Sequence, residues 1–514
     1  MPGLLGLPEE MLQNILLDLP SCCDILHCSE SCRTLYTLVN TSAPLIYRIE
    51  LGKGGLVEGA GSSSLPQSSG ERIERLRTML SRRRRFEPKL LHEWEVVTAE
   101  QASDFHDGVY VRLIWEESGD DTIACLHIQD VSGDPISPEV ITALDPDSLP
   151  PNAPLPIQVC VVPSEDLVVL LTLDSDPDGP WAGLHFRSLS SGGASDHARA
   201  HEPNLKFLNE GSEECRVIVD SDIVAVFCVD YQLQIYRWTT GEHILEWYCD
   251  VEPASERFDC FSLISSTCFV LGCDESWLEV HRLPTAKSTD TLPLERTITP
   301  RLRLLLPHAL PHSDDYHMAT SRSRSPIGDY EAASRITMLL RSAQGAMFAM
   351  AIRSDIFERL LAMHLPKECQ VDGSPSITIN WDAWGPGNSK QLDYPIGQWS
   401  YDSAAVSGSR CIVEKDEIYA GVRTNGFYCF DFGDVNDPDF MRAAQAREAS
   451  YGPLACGVFA EIQNESDSQN SFPYYVVETR QDAFPYSLVL FDGNRMICMS
   501  YIGDDTAKSV LYEL

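Results

Sequence analysis

This chain encodes a small all-α module followed by a large all-β domain, a β-propeller of six to eight blades. Three observations carry that reading. Residues 1–51 hold short runs with apolar residues at helical spacing. From about residue 93, β-branched and aromatic runs alternate with Gly, Asp, Ser and Pro turns. One phrase of alternating apolar and polar residues then returns every 45 to 49 residues, the length of one four-stranded blade.

The first helix opens at Pro8, whose missing N–H costs nothing at a helix start, and Glu9 and Glu10 place negative charge in its first turn. Met11, Leu12, Ile15, Leu16 and Leu19 fall within about 140° of one another at roughly 100° per residue, a broad stripe. Pro20-Ser21 breaks the helix, Asp24 caps a short turn carrying Ile25 and Leu26, and Ser29 caps a third helix. In that helix Cys32, Leu35, Tyr36 and Val39 share one face until Pro44 forbids continuation, and the segment closes at Leu45-Ile46-Tyr47. Three short helices in about 50 residues rarely bury enough apolar surface to stand alone, so this module is expected to dock on something else.

These residues resemble an F-box, the module that plugs a substrate receptor into a cullin-type ubiquitin ligase through the small Skp adaptor. Leu7, Pro8 and Glu9 match the opening Leu-Pro-x-Glu, and Ile15, Leu16 and Leu19 match the apolar face that follows. Asp24-Ile25-Leu26 matches the Asp-Leu-Leu of the second helix, and Cys32-Arg33 the Cys/Ser-Arg of the third. Leu35-Tyr36 stands where the family often has a Trp. The resemblance implies an adaptor-binding surface of Leu7, Pro8, Glu9, Leu12, Ile15, Leu16, Leu19, Ile25, Leu26 and Leu45, with the Skp adaptor and a cullin scaffold as partners. The competing reading is an unrelated helical cap on a larger domain.

Charge divides the chain unevenly. The whole carries a formal net charge of −37, but residues 1–90 are close to neutral, so the acidity lies in the body. Such a body repels phosphate backbones and argues against nucleic-acid binding. No positive end and apolar run mark a signal peptide at residues 1–6, and no stretch has the length of a membrane span, so a cytoplasmic or nuclear location is expected. The 17 cysteines are odd in number and scattered through apolar runs such as Val226-Phe227-Cys228-Val229, the pattern of reduced, buried thiols.

Residues 52–70, rich in Gly and Ser, read as a flexible linker, and 71–92 as a basic connecting helix ending in Arg82-Arg83-Arg84-Arg85. The four arginines suit a helix C-terminus, with nuclear import as the alternative. In chains resembling fungal F-box proteins a similar helix, ending near a Trp (here Trp94), joins the F-box to the receptor domain.

Residues 93–514 form that domain. The repeated phrase is clearest at Leu184–Leu189, Leu233–Trp238 and Leu278–Leu283, also present at Leu126–Asp130, and weaker at Met347–Ile352, Phe427–Phe432 and Ser487–Phe491. Each clear copy follows a more apolar strand, which fits a buried inner strand followed by a half-exposed outer one. Radial packing also hides the sheet edges that a long all-β chain must protect. Tyr236-Arg237-Trp238-Thr239-Thr240-Gly241 resembles the strand and turn of a divergent WD-like blade, although the Trp-Asp ending and Gly-His opening of WD repeats are absent. A pair of β-sandwiches is the competing arrangement. Residues 284–334, rich in Pro, Ser and Arg, read as a long loop in which Ser321, Ser323 and Ser325 are candidate phosphorylation sites.

Three chemical constellations fall short. Cys22, Cys23, His27, Cys28 and Cys32 lack the Cys-x2-Cys spacing of a zinc site and fit as small apolar helix residues. Asp174-Ser175-Asp176-Pro177-Asp178-Gly179 opens like a calcium loop, but His185 stands where a bidentate Glu is required, so a turn is expected. Ser407-Gly408-Ser409-Arg410 is a small-residue turn, and no nucleophile elbow, phosphate loop or His-Glu-x-x-His occurs. No cofactor and no metal is therefore expected. The expected function is a non-catalytic ligase receptor that holds an unidentified target on the propeller, against a propeller hydrolase or lyase or a scaffold that delivers no target.

Overall fold

Four helices, not three, fill the amino-terminal module of the computed structural model: α1 (Glu9–Leu17), α2 (Cys22–Ser31), α3 (Arg33–Thr41) and α4 (Ala43–Lys53). The structure describes residues 4–19, 22–58, 68–85, 89–97, 100–118, 121–133, 136–144, 155–174, 181–208, 215–228, 232–248, 258–273, 277–283, 301–307, 315–320, 326–327, 330–332, 335–343, 346–364, 377–386, 388–396, 405–419, 422–431, 459–461, 475–478, 488–493, 495–501 and 506–513. The fourth helix arises because Pro44, which stops α3, sits in the first turn of α4, where its missing N–H is harmless. Ser42 serves both: its N–H donates to Leu38 O and its carbonyl accepts from Ile46. Ser29, expected as a cap, lies inside α2 with its hydroxyl on Leu26 O at 2.7 Å, and Cys32 occupies the cap position of α3.

The segment expected as a flexible linker begins as ordered backbone. α4 runs to Lys53, and β1 (Leu56–Glu58) follows a turn at Gly54-Gly55. Gly52 is required by packing: a Cβ there would lie 2.3 Å from Cys22 Sγ, so α4 can press on α2 only without one. α5 (Ser69–Arg85) starts with a reciprocal cap in which Ser68 N–H donates to Glu71 Oε2 and Glu71 N–H donates to Ser68 Oγ. Strand β2 (Lys89–Val97) follows, so the boundary expected near 93 falls inside a strand.

Six sheets build the large domain, ordered along the chain. Sheet I holds β3 (Glu100–His106), β4 (Val109–Ser118), β5 (Asp121–Asp130) and β6 (Val140–Ala143). Sheet II holds β7 (Pro156–Val162), β8 (Leu167–Asp174), β9 (Trp181–Ser188) and β10 (Asn204–Leu208). Sheet III holds β11 (Cys215–Asp220), β12 (Ile223–Cys228), β13 (Gln232–Arg237) and β14 (Glu242–Tyr248). Sheet IV holds β15 (Phe258–Ser265), β16 (Cys268–Cys273), β17 (Trp277–Arg282) and β18 (Arg301–Leu305).

Then come β19 (Asp315–Thr320), β20 (Pro326–Ile327), β21 (Tyr330–Ala332), β22 (Ile336–Ala343), β23 (Ala346–Arg353), β24 (Ile377–Ile379), β25 (Ser389–Ile396), β26 (Ala405–Ser407), β27 (Arg410–Tyr419), β28 (Val422–Asp431), β29 (Phe459–Glu461) and β30 (Tyr475–Glu478). Sheet V is nine-stranded, in the order β19-β22-β23-β25-β27-β28-β30-β29 with β26 against β27. Its halves meet at the single pair Ile396↔Lys415. β24 adds to sheet IV in parallel with β18. Between β23 and β25, helices α6 (Asp355–His364) and α7 (Trp381–Trp384) pack Ile356, Phe357, Leu360 and Trp384 into the core shared by sheets IV and V. Sheet VI comprises β31 (Leu488–Phe491), β32 (Arg495–Tyr501), β33 (Thr506–Glu513) and, from the other end of the domain, β2.

First strands line the axis and close a ring: β3 meets β7, then β11, β15, β19, β26 and β31 in turn, and β31 meets β3. Six sheets thus supply seven innermost strands, because sheet V contributes two. The arrangement is a propeller, and the sandwich alternative is set aside. Closure is covalently staggered: β2 lies antiparallel on β33 from Lys89↔Glu513 to Val97↔Thr506. Phe105 and Tyr110 of sheet I share a core with Ile497, Met499 and Leu511 of sheet VI. Trp94 packs on the same core, its ring 6.3 Å from that of Tyr110.

Six of the seven phrases fall on the third strand of a four-strand unit: β5, β9, β13, β17, β23 and β28. The seventh, Ser487–Phe491, falls on a first strand, β31. Third strands are not the half-exposed outer strands expected, because a fourth strand covers each of them. Their polar residues are buried and paired with that fourth strand. His185 Nδ1 donates to Asn204 Oδ1 at 2.7 Å while Nε2 faces Thr172 Oγ1 at 3.1 Å. Gln234 donates to Glu246 at 2.9 Å and accepts from Tyr236 Oη at 3.0 Å. Glu279 accepts from Arg303 Nε at 2.9 Å, and His127 lies 3.3 Å from Glu139. The segment 284–334 also holds more than loop: Leu302, Leu304 and Leu306 alternate inward from β18, and β19 begins sheet V.

The buried imidazoles make stability sensitive to acid. Burial lowers His185, against a smaller opposing hydrogen bond from Asn204, and burial likewise lowers His127 and His243. Each folded value lies below the ordinary 6.5, so on acidification the unfolded chain binds protons first. Melting temperature is therefore expected to hold steady above about pH 7 and to fall as pH drops from about 6.5 through the lower folded values. Calorimetry on the parent and His185→Gln tests this, and a slope unchanged by the substitution would exclude His185 as a contributor.

Candidate functional site

Chemistry local to the described residues does not build a catalytic centre, and the candidate site is the helical module's surface. The chain enters it through a turn, Leu4–Gly6, closed by Leu7 N–H on Leu4 O at 3.1 Å. Pro8, extended at φ −54° and ψ 149°, sits at the N-cap of α1 rather than inside it, and its carbonyl accepts from Met11 and Leu12. Glu9 and Glu10 then point to solvent in the first turn. Gln13 Oε1 accepts the Ser42 hydroxyl at 2.9 Å, tying α1 to the α3–α4 junction.

The broad apolar stripe of α1 divides. Leu12 and Leu16 turn inward and meet Ile25, Leu35, Leu38, Val39, Leu45 and Ile49 in a core drawn from the module alone. Met11 and Ile15, one turn apart on the adjoining strip, remain 50 % and 41 % exposed. Leu4 and Leu5, just ahead, are 56 % and 51 % exposed. Of the residues that the F-box resemblance implies, Leu12, Leu16, Ile25 and Leu45 are buried, Leu7, Leu19 and Leu26 are half-buried against that core, and Pro8, Glu9 and Ile15 are open to solvent. Met11 joins the open set; it was legible as a member of the stripe, but periodicity does not say which edge of a wide stripe the core consumes.

On its other side the module is tied to the rest of the chain. Tyr47 and Leu51 of α4 form a second core with Leu56 of β1 and Ile73, Leu76 and Leu80 of α5. Arg72 reaches Tyr47 Oη at 3.0 Å and pairs with Glu58. β1 itself pairs antiparallel with β21, from Leu56↔Ala332 to Glu58↔Tyr330.

The remaining constellations resolve as packing where they are described. Among the described residues no three His, Cys, Asp or Glu side chains are grouped to hold a metal. His185, at the twelfth position of the supposed calcium loop, is buried inside β9, and residues 175–180 lie outside the described residues. Ser407-Gly408-Ser409-Arg410 is the β26–β27 turn, with Gly408 at φ +58°. Trp238 and the turn to Gly241, at φ +71°, follow β13, and the Trp238 ring stacks 6.1 Å from Phe186. Ser321, Ser323 and Ser325 lie outside the described residues. Among the described residues no helix is long and apolar enough to cross a membrane.

No family model and no curated protein matches the chain. Solved structures similar to it include Raptor from Chaetomium thermophilum, at 11% identity and a TM-score of 0.40, covering 88% of this chain and 32% of that one. This chain thus spans about a third of that structure's length. The WD40 domain of Toxoplasma gondii coronin is similar at 7% identity and 0.36, covering 83% and 87% of the two chains. Drosophila Semaphorin 1b, extracellular domains 1-2, is similar at 10% and 0.40, covering 82% and 87%. The propeller assignment stands on the strand order and ring closure described above.

The α2–α4 contact should govern whether the open strip is presented. Gly52→Ala is expected to destabilise the module by about 1–3 kcal/mol, since the new methyl would overlap Cys22 Sγ and Cβ. Denaturant unfolding checks it, and Cys22→Ala in the same chain should recover most of the loss.

Proposed function

We propose that this protein is the substrate-receptor subunit of a Skp–cullin–F-box ubiquitin ligase, its helical module docking the Skp adaptor and its propeller holding a target protein. The observation that carries this reading is the divided stripe of α1. A helix that served only its own module would bury its apolar residues, yet Met11 and Ile15 remain open beside an acidic first turn while the core behind them is complete. The cluster holding the leucines of α1 contains only residues of the module, so the large domain does not seal that face.

In this role the chain makes and breaks no bond. It raises the effective concentration of a target lysine near the charged ubiquitin carrier, a proximity effect. The docking set is then Leu7, Pro8, Glu9, Met11, Ile15, Leu19 and Leu26, with Leu12, Leu16, Ile25 and Leu45 shaping it from behind. The partners are the Skp adaptor, a cullin scaffold and a target, in the cytoplasm or nucleus. A closed propeller, with loops gathered at both ends, suits a protein that holds others.

Met11→Asp with Ile15→Asp is expected to weaken adaptor co-elution at least about 100-fold with unchanged melting, because two carboxylates would be desolvated on docking. Leu16→Asp is expected instead to unfold the module, since Leu16 is core. Undiminished co-elution by the folded Met11/Ile15 double variant would remove the docking assignment.

A further inference from the structure

The two ends of the propeller differ in chemistry. In an antiparallel four-strand unit the turn from second to third strand and the link from the fourth strand to the next sheet emerge at one end. At that end of sheets I to IV stand four tryptophans: Trp115 near the close of β4, Trp181 opening β9, Trp247 near the close of β14 and Trp277 opening β17. Trp181 is 46 % exposed and pairs with Leu208, itself 38 % exposed, at the close of β10. Exposed aromatic and apolar side chains, directly paired on neighbouring strands, form an unpartnered surface in an otherwise closed ring.

Charge says what covers it. Glu116 is exposed beside Trp115, and the strand ends Glu117, Asp121 and Asp174 share this end, Asp174 directly opposite Trp181. The sequences joining these strand ends, among them Asp176-Pro177-Asp178, Glu213-Glu214 and Asp274-Glu275, are acidic. The cations here are Arg216 and Arg257, with Lys206 further in on β10. At the opposite end of the same sheets the acids already have arginines: Asp196 with Arg187, Asp222 and Glu242 with Arg237, and Glu139 with Arg112. The chain also shows its own stacked cation near this rim, with the Arg303 guanidinium 5.0 Å from the Trp277 ring centre.

We propose that the tryptophan-bearing end of sheets I to IV binds an extended Lys/Arg-rich peptide segment, its cations stacked on indole faces and steered by the acidic rim. Calling that peptide part of a ubiquitination target rests on the receptor reading above; the binding chemistry does not.

The probe is a fluorescent peptide alternating arginine and serine, titrated into the full chain by anisotropy, with a glutamate–serine peptide as control. Binding should be saturable, weaken with added salt, and be absent for the acidic peptide. Trp181→Ala and Glu116→Lys should each weaken it about tenfold with unchanged melting, while Glu202→Lys, at the opposite end, should change it less than about twofold. No binding of the basic peptide, equal binding of the acidic one, or parent-like affinity in both the Trp181 and Glu116 variants overturns the proposal. Adaptor co-elution on the same samples separates the two readings. Peptide unbound with adaptor retained sinks this inference alone, and adaptor lost with peptide bound sinks the receptor reading alone.

Discussion

Pairing of β2 with β33 is the constraint on which the molecule depends. Without it, sheet VI would end in an open strand, Thr506–Glu513, and sheet I would face it across an unfinished ring. The closing strand comes from the amino-terminal side of the domain, so every blade must be made before the ring is sealed. Tyr110 and Ile497, far apart in sequence, meet in the core that the closure creates. Gly108 N–H on Asp492 Oδ2 at 2.8 Å adds a polar tie at the same seam, where a Cβ on Gly108, at φ +74°, would crowd Arg495. Cooperative unfolding is the natural outcome of such a seam, because its loss exposes two sheets at once.

Blade number and strand identity were largely legible because the third strands repeat a chemical requirement. Each carries a polar residue that the fourth strand must satisfy, so apolar and polar residues alternate at fixed positions: His127, His185, Gln234 and Glu279. The same alternation was misleading about exposure, since period two alone does not separate a solvent-facing side chain from one facing a buried partner. The third strand of sheet VI was missed because the phrase was recognised by the tight turn that follows it, and β33 is followed instead by pairing with β2. β18 was hidden for another reason: its Arg-Leu-Arg-Leu-Leu alternation is short and stands in a segment dominated by Pro, Ser and Arg.

In the helical module the residue classes were readable and their partition was not. Helical spacing brings Met11, Leu12, Ile15 and Leu16 to one side of α1, but the line between core and surface runs through the middle of that group. It is drawn by where α2, α3 and α4 arrive, and their arrival depends on contacts such as Cys22 on Gly52 that join distant positions. Pro44 was read as a stop, and a proline in the first turn is equally a start; only the helix beyond it decides. Glycine at 52 looked like slack in the chain, yet it marks a place where two backbones come close.

On the receptor reading, the link between module and propeller matters as much as either surface. Proximity raises the rate of transfer only if the target and the ubiquitin carrier are held at a narrow range of separations, which a long flexible tether would widen. Residues 52–58 are instead built into structure at both faces of β1. Leu56 is buried in the core shared by α4 and α5, and the same strand pairs with β21, whose neighbour is β20. The segment between β19 and β22 thus reaches back to the module, a second connection besides the covalent path through α5 and β2. Three residue pairs make a short ladder, and a short ladder opens more readily than the eight-pair seam at β33. Rigidity of the receptor therefore has two unequal parts: a ring sealed by a long seam, and a module held to it by a small sheet that yields first.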